Sequence, residues 1–239
     1  MTDTEARRHA GRVRRMFTRI SNRYDLMNRL MTLGRDKAWR RYVVRLADLK
    51  SGQRFLDVGT GTGGIALEAL RRDSNIKVTA VDFTLKMIQV ARQGKDGDKI
   101  SWLQADGQNL PFKEVSFDVV TSGYLIRNVS DPVQAFREQT RVTAPGGKVI
   151  CLDTAPPPDN FLKPFILLYL KIMIPFLGRL VAGDKNAYDY LQESTRAFKS
   201  PEELQKIMTD AGLEKVSHKR LMFGTQVVLK GSRPRDKQA

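Results

Sequence analysis

The chain has 239 residues, 41% of them hydrophobic and 28% charged, which suits one large globular domain with elaborations rather than a disordered or fibrous chain. One cysteine excludes a disulfide framework and a cysteine-rich metal site, and two histidines leave no basis for a histidine-built one. The net charge of +15 is unevenly spread: residues 1–50 carry 14 basic and 5 acidic side chains, residues 51–160 carry 13 of each, and residues 161–239 carry 14 and 8. A neutral middle between basic flanks reads as a catalytic or binding core with surfaces for an anionic partner, either a lipid leaflet or nucleic acid.

In chain order, residues 1–50 are read as a basic N-terminal helical region. Met1–Glu5 and Arg7-Arg8 have no apolar run beside them, so neither secretion nor twin-arginine export is expected and a cytoplasmic protein is. Arg8, Arg12, Arg15, Arg19 and Arg23 recur at helical spacing, with Val13, Met16, Phe17, Ile20 and Tyr24 on another face. A second helix is read from Trp39, Tyr42, Val43, Leu46 and Leu49. Both helices either cap the core or face the anionic partner.

From residue 54 the pattern alternates strand, turn and helix over a core assigned to residues 51–231. Strands are expected at Phe55–Val58, Lys77–Asp82, Ile100–Gln104, Phe117–Ser122 and Lys148–Leu152, with a helix near Asp131–Val142, which implies parallel β-α units. An insertion spans 156–199. Within it, Phe161–Ala182 is apolar but broken by Lys163, Lys171, Arg179, Pro164 and Pro175. It falls short of the roughly 20 uninterrupted apolar residues of a membrane span. Two short amphipathic helices over a greasy cleft or on a membrane are expected there, with buried core helices as the alternative. Ser200, Pro201 and Glu203 form a capping box. Strands near Glu214–Arg220 and Thr225–Lys230 close the sheet as a hairpin, and 232–239 is read as a flexible tail.

Gly59, Gly61 and Gly64 satisfy G-x-G-x-x-G after a strand, with Asp82 at the distance of a ribose-binding acid. Nicotinamide and S-adenosylmethionine enzymes both use such a loop. Asp57, two residues before the first glycine, offers an anion to the ammonium and sulfonium of S-adenosylmethionine. Asp82 can accept both ribose hydroxyls, and Asp106, after the third strand, can accept from the adenine amino group. Leu110-Pro111-Phe112, Ser116-Phe117-Asp118 and Ala144-Pro145-Gly146-Gly147 then follow in the order found in the class I S-adenosylmethionine-dependent methyltransferases. That resemblance implies a Rossmann-like α/β fold, a seven-stranded mostly parallel sheet with an antiparallel last strand.

Further motifs narrow the resemblance. Arg15-Met16-Phe17, the run Tyr24–Gly34 with Trp39-Arg40, Ile126-Arg127-Asn128-Val129 and Tyr188–Ser194 are similar to the signatures of the ubiquinone/menaquinone-biosynthesis C-methyltransferases. The resemblance implies C-methylation of a demethylmenaquinol, or of a polyprenyl benzoquinol, at the inner membrane face, on a protein held peripherally there. It places the cofactor on Asp57, Gly59, Gly61, Thr62, Asp82, Asp106, Gly107, Ser122 and Gly123. Arg127 becomes the cation that lowers the quinol pKa and holds the quinolate, since a guanidinium stays protonated, unless it is a structural ion pair. Asn128 hydrogen-bonds the ring oxygen, and Tyr24, Asp25 and Asn28 close over the ring. The chain departs from the family at Gly123-Tyr124-Leu125-Ile126 and at Leu152-Asp153-Thr154, positions expected to line the cleft. Another apolar phenol is therefore the alternative substrate. RNA is disfavoured by the lack of a recognisable RNA module, and a homo-oligomer is left open.

Overall fold

The computed structural model describes residues 3–177 and 198–235. β1 (Arg54–Val58), β2 (Lys77–Asp82), β3 (Ser101–Gln104), β4 (Phe117–Gly123), β5 (Thr143–Thr154), β6 (Glu214–Leu221) and β7 (Gln226–Ser232) form a seven-stranded sheet in the order β3-β2-β1-β4-β5-β7-β6. β1 runs parallel to β2 and β4, β2 to β3, and β4 to β5, whereas β7 runs antiparallel to β5 and β6. The expected architecture, with its reversed last strand, is the one observed.

Successive strand residues point to opposite faces, and both faces are apolar because both are covered. Leu56, Val58, Val120 and Cys151 meet Phe136 of α6 (Pro132–Val142) and Leu204 and Met208 of α8 (Pro201–Asp210). Phe55, Val78, Val119 and Ile150 meet Trp39 and Val43 of α3 (Asp36–Ala47) and Ala66 and Ala69 of α4 (Gly64–Arg72). Fully burying a side chain such as Phe55 or Phe136 contributes about 1.5–3 kcal/mol. Cys151 lies inside this core, where burial pushes its thiol pKa well up, so it is packing rather than chemistry.

The N-terminal region is helical as expected, with the first expected helix in two pieces ahead of α3. α1 (Asp3–Ile20) gives way to a 3₁₀ turn at Ser21–Arg23 and then α2 (Tyr24–Met31). Val13, Met16 and Ile20 are buried while Arg8, Arg12, Arg15 and Arg19 are exposed. α1 packs on α5 (Leu85–Arg92), which brings it over the ends of the strands.

Three expectations are corrected. β5 is longer than Lys148–Leu152: Thr143 pairs with Phe117, and a register shift before Val119 absorbs the glycine-containing stretch. The tail does not begin at 232, because Ser232 ends β7 and the Arg233 guanidinium donates to the carbonyls of Thr140, Arg141 and Thr143. In the insertion, α7 (Lys163–Leu177) runs unbroken through both prolines, which were expected to interrupt a helix there. Pro164 sits in the first turn, where no N–H is needed, and Pro175 lies two residues before the described part ends. Residues 178–182 and Tyr188–Ser194 lie outside the described residues. No described helix is long and apolar enough to cross a membrane.

Candidate cofactor and substrate cleft

The site lies at the carboxyl ends of β1, β2, β3 and β4, where the strand order turns at β1. After Val58 the chain turns back with Gly59 at φ +66° and Gly61 at φ +57°, left-handed values that favour glycine. A Cβ on Gly59 would also lie 2.8 Å from Leu125 Cδ1. Asp82 locks this turn: its Oδ2 accepts from the Gly61 N–H at 2.8 Å and its Oδ1 from the Thr84 N–H at 2.7 Å. Asp57, buried at the end of β1, accepts from the Thr60 hydroxyl at 2.7 Å and the Thr121 hydroxyl at 2.9 Å. Burial raises the pKa of Asp57 to about 6 and raises that of Asp82 as well.

Around these groups lies an open cleft of ≈ 780 Å³, whose wall includes Gly59, Gly61, Asp82, Asp106, Gly107 and Gly123. A smaller chamber of ≈ 370 Å³ carries Asp57, Thr62 and Arg40, and the two share Tyr24, Gly59, Gly123 and Tyr124. Helix α1 roofs the larger cleft with His9, Val13 and Phe17. α2 is tied in by the Thr62 hydroxyl, which donates to Asp25 Oδ1 at 2.8 Å. Asn28 sits beside the Tyr24 hydroxyl, and burial raises the Tyr24 pKa.

Most residues singled out from the sequence therefore converge, but Asp25, Asn28, Ser122 and Arg127 line neither space. Ser122 is buried and turned away, its hydroxyl 3.3 Å from Gln139 Oε1, so Gly123 alone represents that pair at the wall. Arg127 lines neither space: its Nε is 3.8 Å from Asp153 Oδ1 and its guanidinium lies 5.2 Å from the Tyr124 ring centroid. Asp153 is fully buried and its pKa is raised to about 6 by desolvation, held by the N–H groups of Ile126 and Thr154 at 3.0 and 2.8 Å. Asn128 does line the cleft, with its Nδ2 donating to the Tyr124 carbonyl at 2.7 Å. Its own carbonyl meets His9 Nε2 at 3.1 Å, which fastens α1 to this loop.

Sequence reasoning assigned no role at the site to His9 or Arg40, and it expected Tyr124 only as one of the positions lining the cleft, where it lies. His9 faces the cleft from α1, a helix read for its arginines and its Val13–Tyr24 apolar face. Tyr124 adopts φ +57°, a strained value for an aromatic residue that no pattern announces. Among the described residues, no cluster of three or more His, Cys, Asp or Glu is placed to hold a metal ion.

A profile of the ubiE/COQ5 methyltransferase family matches residues 1–233. The chain belongs to this family. It is 43% identical over 213 residues to the ubiquinone/menaquinone biosynthesis C-methyltransferase UbiE of Desulfotalea psychrophila, covering 89% of this chain and 87% of that one. It is 40% identical over 221 residues to the demethylmenaquinone methyltransferase of Thermus thermophilus, covering 92% of this chain and 100% of that one. Among solved structures, a methyltransferase from Thermotoga maritima, described as a possible histamine N-methyltransferase, shares the fold with a TM-score of 0.64 at 22% identity, over 92% of this chain and 99% of that one. Phosphoethanolamine N-methyltransferase 2 of Haemonchus contortus, solved with S-adenosyl-L-methionine, does so with a TM-score of 0.63 at 17% identity, over 83% of this chain and 53% of that one. The fold is thus that of the class I methyltransferases.

Proposed function

We propose that the protein methylates a ring carbon of a demethylmenaquinol, a polyprenylated quinol, with S-adenosylmethionine as methyl donor. The observation that carries the reading is the convergence of Asp57, Asp82 and Asp106 on two adjoining glycine-walled spaces at the strand ends, in a chain matched over 1–233 by a methyltransferase family. The residues present fit the cofactor. Asp82 lies at the wall for the ribose hydroxyls, Asp106 and Gly107 for the adenine, Gly59, Gly61 and Thr62 for the methionine chain, and buried Asp57 for its ammonium. When bound, the cofactor supplies an electrophilic methyl group on sulfonium.

The chain's own work is positioning and electrostatics. Aligning the ring carbon with the methyl in a water-poor cleft contributes much of the rate. The quinol must also give up a proton, and a fixed cation nearby lowers the cost of the resulting oxyanion. Arg127 is that cation, and its place behind the Tyr124 ring makes its effect one of field rather than contact. Asn128, at the wall, hydrogen-bonds the ring oxygen. Tyr24, with Asp25 and Asn28 beside it, closes the cleft from α2.

A long apolar tail needs an apolar exit, and the substrate resides in a membrane. Leu26 and Leu33 at α2 and Phe165, Leu168 and Ile172 on α7 are each more than half exposed, on helices that pack together. This patch, together with the basic α1, supports peripheral attachment to an anionic leaflet. The direct test is transfer of labelled methyl from S-adenosylmethionine to a demethylmenaquinol in membranes. Label on the ring carbon is expected, and an enzyme that binds the cofactor but labels no quinol would overturn the reading.

A further inference from the structure

Two tyrosines, Tyr24 and Tyr124, stand where the larger cleft and the smaller chamber meet. Tyr24 has Asn28 beside its hydroxyl. The Tyr124 hydroxyl differs: it is shut off from solvent and has no hydrogen-bond partner among the described residues. A buried hydroxyl left unpaired is costly, and native folds keep few of them. Burial also pushes the Tyr124 phenol pKa up, so the group keeps its proton and stands as a donor.

The chain holds this side chain firmly. The Tyr124 N–H donates to the Leu152 carbonyl at 2.7 Å, and its own carbonyl accepts from Asn128 Nδ2 at 2.7 Å. These bonds sustain the left-handed φ of +57°, a conformation that persists only where the surroundings over-determine it. The ring packs against the core layer that contains Ile65 and Leu152, and the Arg127 guanidinium lies 5.2 Å from its centroid. Asn128 lines only the larger cleft, whereas Tyr124 lines both spaces, so a ring seated there meets two donors at two positions. Tyr124 also falls in the Gly123–Ile126 run where the chain departs from the family signature, so family membership does not account for it.

We propose that Tyr124 is a specificity-determining residue whose hydroxyl donates to the second ring oxygen of the quinol, the one away from the methyl-accepting carbon, while Asn128 meets the first. The proposal rests on the quinol reading above. Its test is methyl transfer by wild type and Tyr124→Phe to two acceptors, a short-tailed demethylmenaquinol and a monophenol analogue that keeps only the hydroxyl beside the accepting carbon. The preference for the quinol in kcat/KM is expected to be about 10-fold larger in wild type than in Tyr124→Phe, the worth of one hydrogen bond in a buried site. The loss should fall on the quinol alone. Affinity for S-adenosylmethionine, read by calorimetry, should be unchanged. The variant should melt at or above the wild-type temperature, because an unpaired buried hydroxyl has been removed. An equal quinol preference in the two proteins, a variant with weakened cofactor binding, or a variant that melts lower would each overturn the proposal. A wild type that binds S-adenosylmethionine yet methylates neither acceptor would remove the quinol reading, and the proposal with it.

Discussion

At the scale of single residues, the buried acids decide how the site responds to pH. Asp57 has its pKa raised to about 6 by desolvation, above its ordinary value of 3.8. The folded chain therefore holds this proton more tightly than the unfolded chain does. The stability it contributes is present below about 3.8 and is lost as pH rises through about 6. A cofactor ammonium reverses the preference, since it needs the ionised form. Affinity for S-adenosylmethionine should accordingly climb as pH rises through about 6 and level off above it. Asp57→Asn should bind about 10- to 100-fold more weakly at neutral pH, the worth of one charge-assisted hydrogen bond, and should lack that climb. Calorimetry across pH 5 to 8 checks both, and a flat wild-type profile would remove Asp57 from the ammonium site. Asp57 and Asp82 were legible in the sequence because a strand end followed by glycines dictates where an acid must sit. Arg40 was not, because it comes from a helix whose packing alone brings it to the wall.

At the scale of elements, the residues that mark the family in sequence act as fasteners. Asp118, in the Ser116-Phe117-Asp118 run, accepts from the Arg54 N–H at 2.7 Å and from its guanidinium at 3.1 Å, joining β4 to β1. The Leu110-Pro111-Phe112 segment is held from α6: Glu138 Oε2 accepts from the Leu110 N–H at 2.8 Å, while Arg141 donates to the Phe112 and Leu110 carbonyls at 2.8 and 3.1 Å. This clamp fixes the chain just after Asp106 and Gly107. The hydrogen bond from Arg141 lowers the Glu138 pKa, so its contribution is present above the ordinary glutamate value and is lost as pH falls through the lowered one. Glu138→Ala should cost about 1–3 kcal/mol, because it orphans a buried N–H and a paired cation. Thermal melts should show the deficit at neutral pH and a narrowing of it in acid. Strand positions were legible because both-face burial leaves continuous apolar runs. The extent of β5 and the continuity of α7 were not. A bulge hides pairing among glycines, and a proline in a first turn looks the same in sequence as one that breaks a helix.

At the scale of the whole molecule, the basic α1 is followed in the chain by α2, which carries exposed Leu26, precedes exposed Leu33 and packs with α7. The net +9 of residues 1–50 is carried partly by α1, whose Arg8, Arg12, Arg15 and Arg19 are exposed, while Leu33 and Phe165, at 64% and 68% exposure, belong to the apolar surface at α2 and α7. Basic residues near an anionic leaflet contribute about 1 kcal/mol each, and inserted apolar side chains add to that. The charge term falls with salt because the Debye length shrinks from about 10 Å at 0.1 M to about 3 Å at 1 M. The apolar term does not. Binding to anionic vesicles should therefore be strong at low salt and drop steeply as salt rises, toward the weak level seen with neutral vesicles. Replacing Arg8, Arg12, Arg15 and Arg19 together by Gln should lower anionic-vesicle binding toward that same level. Cofactor affinity should stay as it was, since these side chains point away from the cleft that Val13 and Phe17 roof. Phe165→Asp should act in the complementary way, lowering the salt-resistant remainder. Sedimentation with vesicles separates the two terms directly. If wild type ignored anionic vesicles at low salt, the arginine face would have to serve a different polyanion, and RNA would be the first to try.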